Sequence, residues 1–213
     1  MNNVIFSHGN GFPASTYSSF TKDLSRRGFK VSSIEKFGHD PLFPVTSNWP
    51  YLVQELADFA KKSADQTGSK PYLIGHSLGG LLSLMCASKH PDLTAGVVLL
   101  DSPVVGGWRA SALNLVKKTN WIGSVSPGRI SKSRRQHWPN IEAVIEHFQH
   151  KRAFAHWHPD ALRDYAEFGT RIENGERVLS FDRVIETAIY NNEKRHLYFI
   201  VDTILSRDLA SAF

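Results

Sequence analysis

The stretch Pro71-Tyr72-Leu73-Ile74-Gly75-His76-Ser77-Leu78-Gly79-Gly80-Leu81-Leu82 decides how the chain reads. Its first four residues are a short apolar run and predict a buried strand. Leu78, Leu81, Leu82 and Met85 then read as a buried helix whose end is marked by Lys89, His90 and Pro91. Between the two lies Gly75-x-Ser77-x-Gly79. A serine on a sharp strand-to-helix turn needs a strained backbone, so its neighbours must be small. Gly75 and Gly79 withhold side chains that would collide with the adjacent strand and helix. The Ser77 hydroxyl is then expected to stand at the carboxyl end of a sheet, where the helix N-terminus favours negative charge. A glycine-rich turn with an incidental serine is the plainer alternative; the flanking strand, the helix and the extra Gly80 weigh against it.

Outward from this motif the first half alternates strands and helices. Val4-Ile5-Phe6 predicts a strand that stops at the loop His8-Gly9-Asn10-Gly11-Phe12-Pro13, and Val31 to Ile34 a second strand. Trp49, Leu52, Val53, Leu56, Phe59 and Ala60 recur at helical spacing. Val97-Val98-Leu99-Leu100 is apolar without alternation, as expected of a strand covered on both faces, and Asp101 sits at its end. This order predicts an α/β fold around a parallel sheet with right-handed crossovers. From about Val105 the texture turns mainly helical, with amphipathic faces at Ile141, Val144, Ile145 and Phe148, at Leu162, Tyr165 and Phe168, and at Phe181, Val184, Ile185, Ala188 and Ile189. No further strand is expected before Leu197-Tyr198-Phe199-Ile200-Val201. The reading divides the chain into a core over 1–104, an inserted helical cap over 105–190 and a divergent C-terminal segment over 191–213.

Composition narrows the function classes. With 213 residues, 41% hydrophobic and 21% charged, the chain reads as one folded domain. A single cysteine, Cys86, excludes a disulfide framework and a cysteine zinc site, fits a reducing, cytoplasmic setting, and reads as a small buried hydrophobe. No apolar run approaches the roughly 18 residues of a membrane span, and the N-terminus lacks signal-peptide features. Net charge is +5. Lys117, Lys118, Arg129, Lys132, Arg134 and Arg135 concentrate it, and without a nucleic-acid motif or aromatic platform they read as a solvated face. His156-Trp157-His158 places its histidines on different helix faces with no third ligand, so it reads as an aromatic segment entering a helix at Pro159. His147 and His150 share a helix face among polar neighbours and read as solvated. No metal and no cofactor are expected.

Taken together, Phe6-Ser7-His8-Gly9-Asn10-Gly11-Phe12-Pro13, the turn Gly38-His39-Asp40, Gly75-His76-Ser77-Leu78-Gly79-Gly80 and Val98-Leu99-Leu100-Asp101-Ser102-Pro103 resemble the α/β-hydrolase superfamily, of the single-domain esterase type with a helical cap. Their order and spacing match the ends of that superfamily's strands 3, 4, 5 and 6. The resemblance implies that Ser77 is the nucleophile and that the backbone N–H groups of Asn10 and Leu78 form the oxyanion hole. Gly9 and Gly11 would let the backbone approach the substrate. His8 would fix the loop, and His76 would fill the motif beside the nucleophile. The superfamily's order is serine, acid, histidine. Asp101 is the favoured acid, Asp202 the other candidate. No histidine follows Asp202, and eleven residues remain after it. His137, His147, His150, His156, His158 and His196 all lack the expected context for the base. The chain therefore reads as C-terminally truncated, lacking the last strand, with a sheet edge open to self-association. The leading expectation is a serine hydrolase of a small ester or thioester acting through an acyl-enzyme on Ser77. The alternative is a catalytically impaired or truncated relative that binds without turning over. Serine at the elbow argues against dehalogenase or epoxide-hydrolase chemistry, which the superfamily performs with aspartate there.

Overall fold

A computed structural model of the chain describes residues 2–102 and 131–192. The first part carries β1 (Asn3–Ser7), α1 (Ser18–Arg26), β2 (Lys30–Ser33), α2 (Pro50–Thr67), β3 (Tyr72–His76), α3 (Leu78–Lys89) and β4 (Gly96–Leu100). All four strands are parallel, in the order β2-β1-β3-β4. The chain moves outward from β1 to β2, then returns past β1 to β3. Right-handed crossovers put α1 on one face and α2 and α3 on the other. Accordingly Ile5 and Leu73 join the core formed by Leu52, Leu56, Leu78, Leu81 and Leu82. Phe6 points the opposite way and meets Phe20 of α1 at a ring separation of 5.5 Å. The reversal in strand order falls between β1 and β3. Their carboxyl ends, with the loops that follow, form the crevice where open α/β sheets place ligands.

Residues 131–192 add β5 (His137–Trp138), α4 (Ile141–Gln149), α5 (Pro159–Phe168), β6 (Thr170–Glu173), β7 (Glu176–Leu179) and α6 (Arg183–Asn191). The three helices lie where the periodicity put them. The stretch is not only helical, however: β5, β7 and β6 form a three-stranded antiparallel sheet. Its hairpin turns on Asn174 and Gly175, both at positive φ (51° and 82°), which is the dipeptide and geometry that suit a two-residue hairpin loop. Trp138, Val144, Phe148, Phe154, Tyr165 and Leu179 make a second core. Phe181 and Ile189 instead belong to the first core, so α6 ties this region back onto the sheet.

β4 also departs from expectation. It is the edge of the described sheet, and Val98 and Leu99 are 44% and 37% exposed rather than covered on both faces. The expected strand over 197–201, Asp202, His196, Lys117, Lys118 and Arg129 lie outside the described residues, and the expected lack of a last strand likewise rests on residues outside them. No helix of the described residues is long and apolar enough to cross a membrane.

Candidate active site

Ser77 links β3 directly to α3 and has φ 51° and ψ −115°. This region is close to glycine-only, so a serine held there is strained by an order of ~1–3 kcal/mol. Three contacts enforce it. A Cβ on Gly75 would overlap the backbone of Gly79 and Gly80. One on Gly79 would overlap the Ser7 carbonyl, and one on Gly80 the Ser102 hydroxyl. The first turn of α3 can therefore press against both β3 and the end of β1. The Ser77 N–H donates to the Leu100 carbonyl at 3.0 Å, which pins the turn to β4. Leu78 is the first residue of α3, and an N–H at that position has no acceptor within its own helix.

The loop after β1 is fixed from below. His8 is fully buried; its Nε2 accepts the Phe37 N–H at 2.9 Å, so its proton sits on Nδ1 and is donated to the Gly9 carbonyl, also at 2.9 Å. Burial lowers its pKa to about 4. His8 is therefore neutral at physiological pH and has both ring nitrogens committed, as expected of a loop-fixing side chain. Gly9 N–H donates to the Tyr17 hydroxyl at 3.1 Å, and that hydroxyl shares a hydrogen bond with His76 Nδ1 at 2.7 Å. A Cβ on Gly9 would come within 2.9 Å of that nitrogen. Burial pushes the Tyr17 hydroxyl above its ordinary range. Burial also lowers the His76 pKa, with the Asp101 charge opposing. His76 is thus the partner of a buried tyrosine and not only motif filler.

Asn10 is buried, and its Nδ2 donates to the Glu186 carbonyl of α6 at 3.0 Å. Gly11 follows at φ 82°; a Cβ there would lie 2.7 Å from Glu186 Oε1 and 3.0 Å from Arg134 Nη1. Glu186 accepts two hydrogen bonds from Arg134 Nη1, at 2.7 and 2.8 Å, and Arg134 Nη2 donates to the Tyr165 hydroxyl. The pair is nearly closed off from solvent, with the Arg134 and Glu186 side chains 14% and 5% exposed. Burial opposes the Arg134 charge, but Tyr165 and Glu186 outweigh it and raise the guanidinium above its ordinary range. Arg134 is therefore not part of a solvated face. No local sequence signal links residues 10, 134, 165 and 186. Tyr17 was equally unmarked.

Asp101 ends β4 at φ 45°, exposed, and close enough to His76 to act on its titration. Among the described residues no histidine is hydrogen bonded to Ser77 or Asp101. His137 is exposed and 3.4 Å from Glu176. His150 and His156 are exposed. His158 caps α5 by accepting the Asp160 N–H. His147 is not simply solvated: its ring packs on Trp138 and Phe148 at 5.6 and 4.9 Å, and burial lowers its pKa. Cys86 is buried, and its thiol is pushed up to about 12. Among the described residues no group of three His, Cys, Asp or Glu side chains is placed to hold a metal ion.

A cleft of about 290 Å³ opens beside the elbow, between α1 and α5, lined by Phe12, Tyr17, Phe20, His76, Trp157 and Asp164 among others. Phe12 lies two residues after Asn10, and His76 directly precedes Ser77, so the cleft adjoins both loops of the site.

Comparison with known proteins bears on the fold and the family. The chain is 27% identical over 135 residues to a monoglyceride lipase homolog of monkeypox virus and 27% identical over 139 residues to the monoglyceride lipase of Rattus norvegicus. These matches cover 58% and 61% of this chain and 46% of each relative, so the chain spans about half the length of the lipases it matches. Among solved structures, E-2-(acetamidomethylene)succinate hydrolase superposes with a TM-score of 0.68 at 22% identity, covering 92% of this chain and 67% of that one. The thioesterase domain from the curacin biosynthetic pathway superposes with a TM-score of 0.65 at 18% identity, covering 97% and 71%. Both share the fold. The family profile described as serine aminopeptidase, S33 (Hydrolase_4) matches residues 2–162. The chain belongs to that family, within the α/β-hydrolase superfamily.

Proposed function

We propose that the protein hydrolyses a small, uncharged ester or thioester through an acyl-enzyme on Ser77. The observation that carries this reading is the Ser77 backbone, held in a glycine-like conformation by three close glycine contacts and set at the N-terminus of α3. Nothing in packing alone calls for a serine there. In the proposed reaction Ser77 Oγ attacks the carbonyl carbon and its proton passes to a base. The Leu78 and Asn10 N–H groups receive the oxyanion. The leaving alcohol or thiol departs with a proton, and water then cleaves the acyl-enzyme to release the acid. Asp101 is the acid we assign to orient the base. The aromatic cleft would take the apolar part of the substrate, and Asp164 on its rim disfavours an anionic one. Relatives named as monoglyceride lipases and the thioesterase-domain neighbour support ester chemistry at the family level.

A fluorophosphonate probe tests the reading. Wild type is expected to label and Ser77→Ala not to. A folded wild-type protein that resists labelling would overturn the proposal. It would favour the second reading, a relative that binds without turnover. That reading has its own motivating observation, the lack of any described histidine hydrogen bonded to Ser77.

A further inference from the structure

We infer that the buried Arg134–Glu186 pair, with Tyr165, is a positioning device for the Asn10–Gly11 loop, and so for one of the two proposed oxyanion donors. The inference rests on the proposed hydrolase reading for its catalytic consequence, and on geometry alone for its mechanical part. α6 holds the loop twice. Its main chain takes the Asn10 side chain at the Glu186 carbonyl. Its Glu186 carboxylate packs where a side chain on Gly11 would otherwise stand. Gly11 is thus needed for two reasons: its positive φ and the room it leaves for the carboxylate.

The carboxylate is itself immobilised. Arg134 grips both oxygens, and Tyr165 holds the second guanidinium nitrogen from the other core. The backbone that carries Arg134 is fastened to α6 as well. Arg183 Nη1 donates to the carbonyls of Lys132 and Arg134 at 3.1 and 2.9 Å, and the Ser131 and Thr187 hydroxyls pair at 2.8 Å. A buried ion pair usually adds little net stability over apolar side chains of the same volume. Its geometric definition is what apolar side chains would not reproduce. Here the geometry is delivered to a loop whose donor must meet an oxyanion within a few tenths of an ångström. Asn10 Oδ1 is buried and without a hydrogen-bond partner among the described residues, so the Asn10 side chain is held through its amide nitrogen alone.

The test is the double variant Arg134→Met/Glu186→Leu in the full chain, read three ways. It is expected to melt close to wild type, because no lone buried charge remains. Its kcat on a p-nitrophenyl ester, and its fluorophosphonate labelling rate, are expected to fall about 100-fold with KM little changed, as misplacement of a loop predicts. Hydrogen exchange at the Phe12 amide, which donates to the Gly9 carbonyl across this loop at 3.1 Å, is expected to accelerate. If the double variant does not fold, Tyr165→Phe serves in its place, since it keeps the ion pair and the volume and removes one hold on the guanidinium. A folded variant with unchanged Phe12 exchange would overturn the inference whether or not the protein is an enzyme. So would unchanged kcat against an active wild type. A wild type that fails to label would defeat the hydrolase reading alone, and the exchange measurement would still decide the positioning role.

Discussion

The two loops that would cradle an oxyanion are built by opposite strategies. The elbow at Ser77 is shaped from within its own stretch and by two close neighbours, with Gly75, Gly79 and Gly80 removing atoms so that β3, α3 and the end of β1 can touch. The loop at Asn10 is shaped from far away. His8 reaches Phe37 beneath it, and α6 closes on it with Glu186, clamped in turn by Arg134 and Tyr165. A site assembled by subtraction is rigid because nothing can move into the space. A site assembled by clamps is rigid only while every partner is in place. The two loops should therefore fail differently.

The largest effect is expected where atoms are added to the elbow. Gly79→Ala puts a methyl group onto the Ser7 carbonyl, a backbone atom that cannot rotate away. The variant is expected to lose at least ~4 kcal/mol of stability, at the extreme of single substitutions, or to fail to fold. Urea denaturation checks it; a loss under about 1 kcal/mol would show the elbow to be less tight than its contacts imply. Next in size is Arg134→Met alone, which leaves the Glu186 carboxylate buried without its cation. A loss of about 3–5 kcal/mol is expected, most of it restored when Glu186→Leu is added. A single variant as stable as wild type would mean that the pair is looser than its geometry shows.

That contrast also governs what was legible in the sequence. The elbow was readable because its causes sit within a dozen residues: a strand, two glycines at fixed offsets and a helix. The same is true of β1, β3, β4, α2 and α3, each marked by its own apolar run or stripe, whereas β2 offers only Val31 among polar residues. α1 was not marked, because its apolar stripe is only Phe20 and Leu24 in an otherwise polar segment. The hairpin of β6 and β7 carried a usable signal in Asn174-Gly175, but its four-residue strands alternate too briefly to stand out against the helical patterns around them. The clamp had no local signature at all. Arg134 sat in a run of basic residues, and its partner lies 52 positions further on. A charge run reports composition, and only the fold decides which member of it is turned inward.

A third prediction concerns pH and sets two buried groups against each other. Burial raises the Glu55 carboxyl from 4.5 to about 7, opposed by the Gly38 N–H and helped by Asp40. Between these values the native state holds more protons than the unfolded state, so this group's contribution falls as pH rises, reaching ~1.4 kcal/mol per pH unit at full effect. His8 works the other way. Its pKa is depressed from 6.5 to about 4, so its contribution is present above 6.5 and lost as pH falls through 4. His39 and His76 are lowered too and reinforce His8. Glu55 therefore offsets much of the histidine slope between about pH 4.5 and 6.5. Glu55→Gln is expected to stabilise the protein at pH 7 and to expose a stability that climbs between pH 4 and 6.5. Thermal melts across that range test both signs. A variant no more stable at pH 7, with an unchanged profile, would show that Glu55 is solvated in the folded protein.

The smallest expected effect isolates a position where glycine serves only its backbone. Gly175 lies at φ 82° in the β6–β7 turn, and a Cβ there would meet nothing within 4 Å. Gly175→Ala therefore adds no clash, in contrast to Gly79→Ala, and its cost is conformational alone, about 1 kcal/mol. Trp138 is buried in the same small sheet, since β5 pairs with β7, so its fluorescence should report any opening of the hairpin. The expected result is a slightly lower melting temperature with unchanged fluorescence in the native state. A loss as large as that of Gly79→Ala would mean that the turn is held by contacts the folded chain does not show. No loss at all would mean that the backbone relaxes out of the left-handed region, and the Asn174-Gly175 turn would then owe its geometry to the strands it joins.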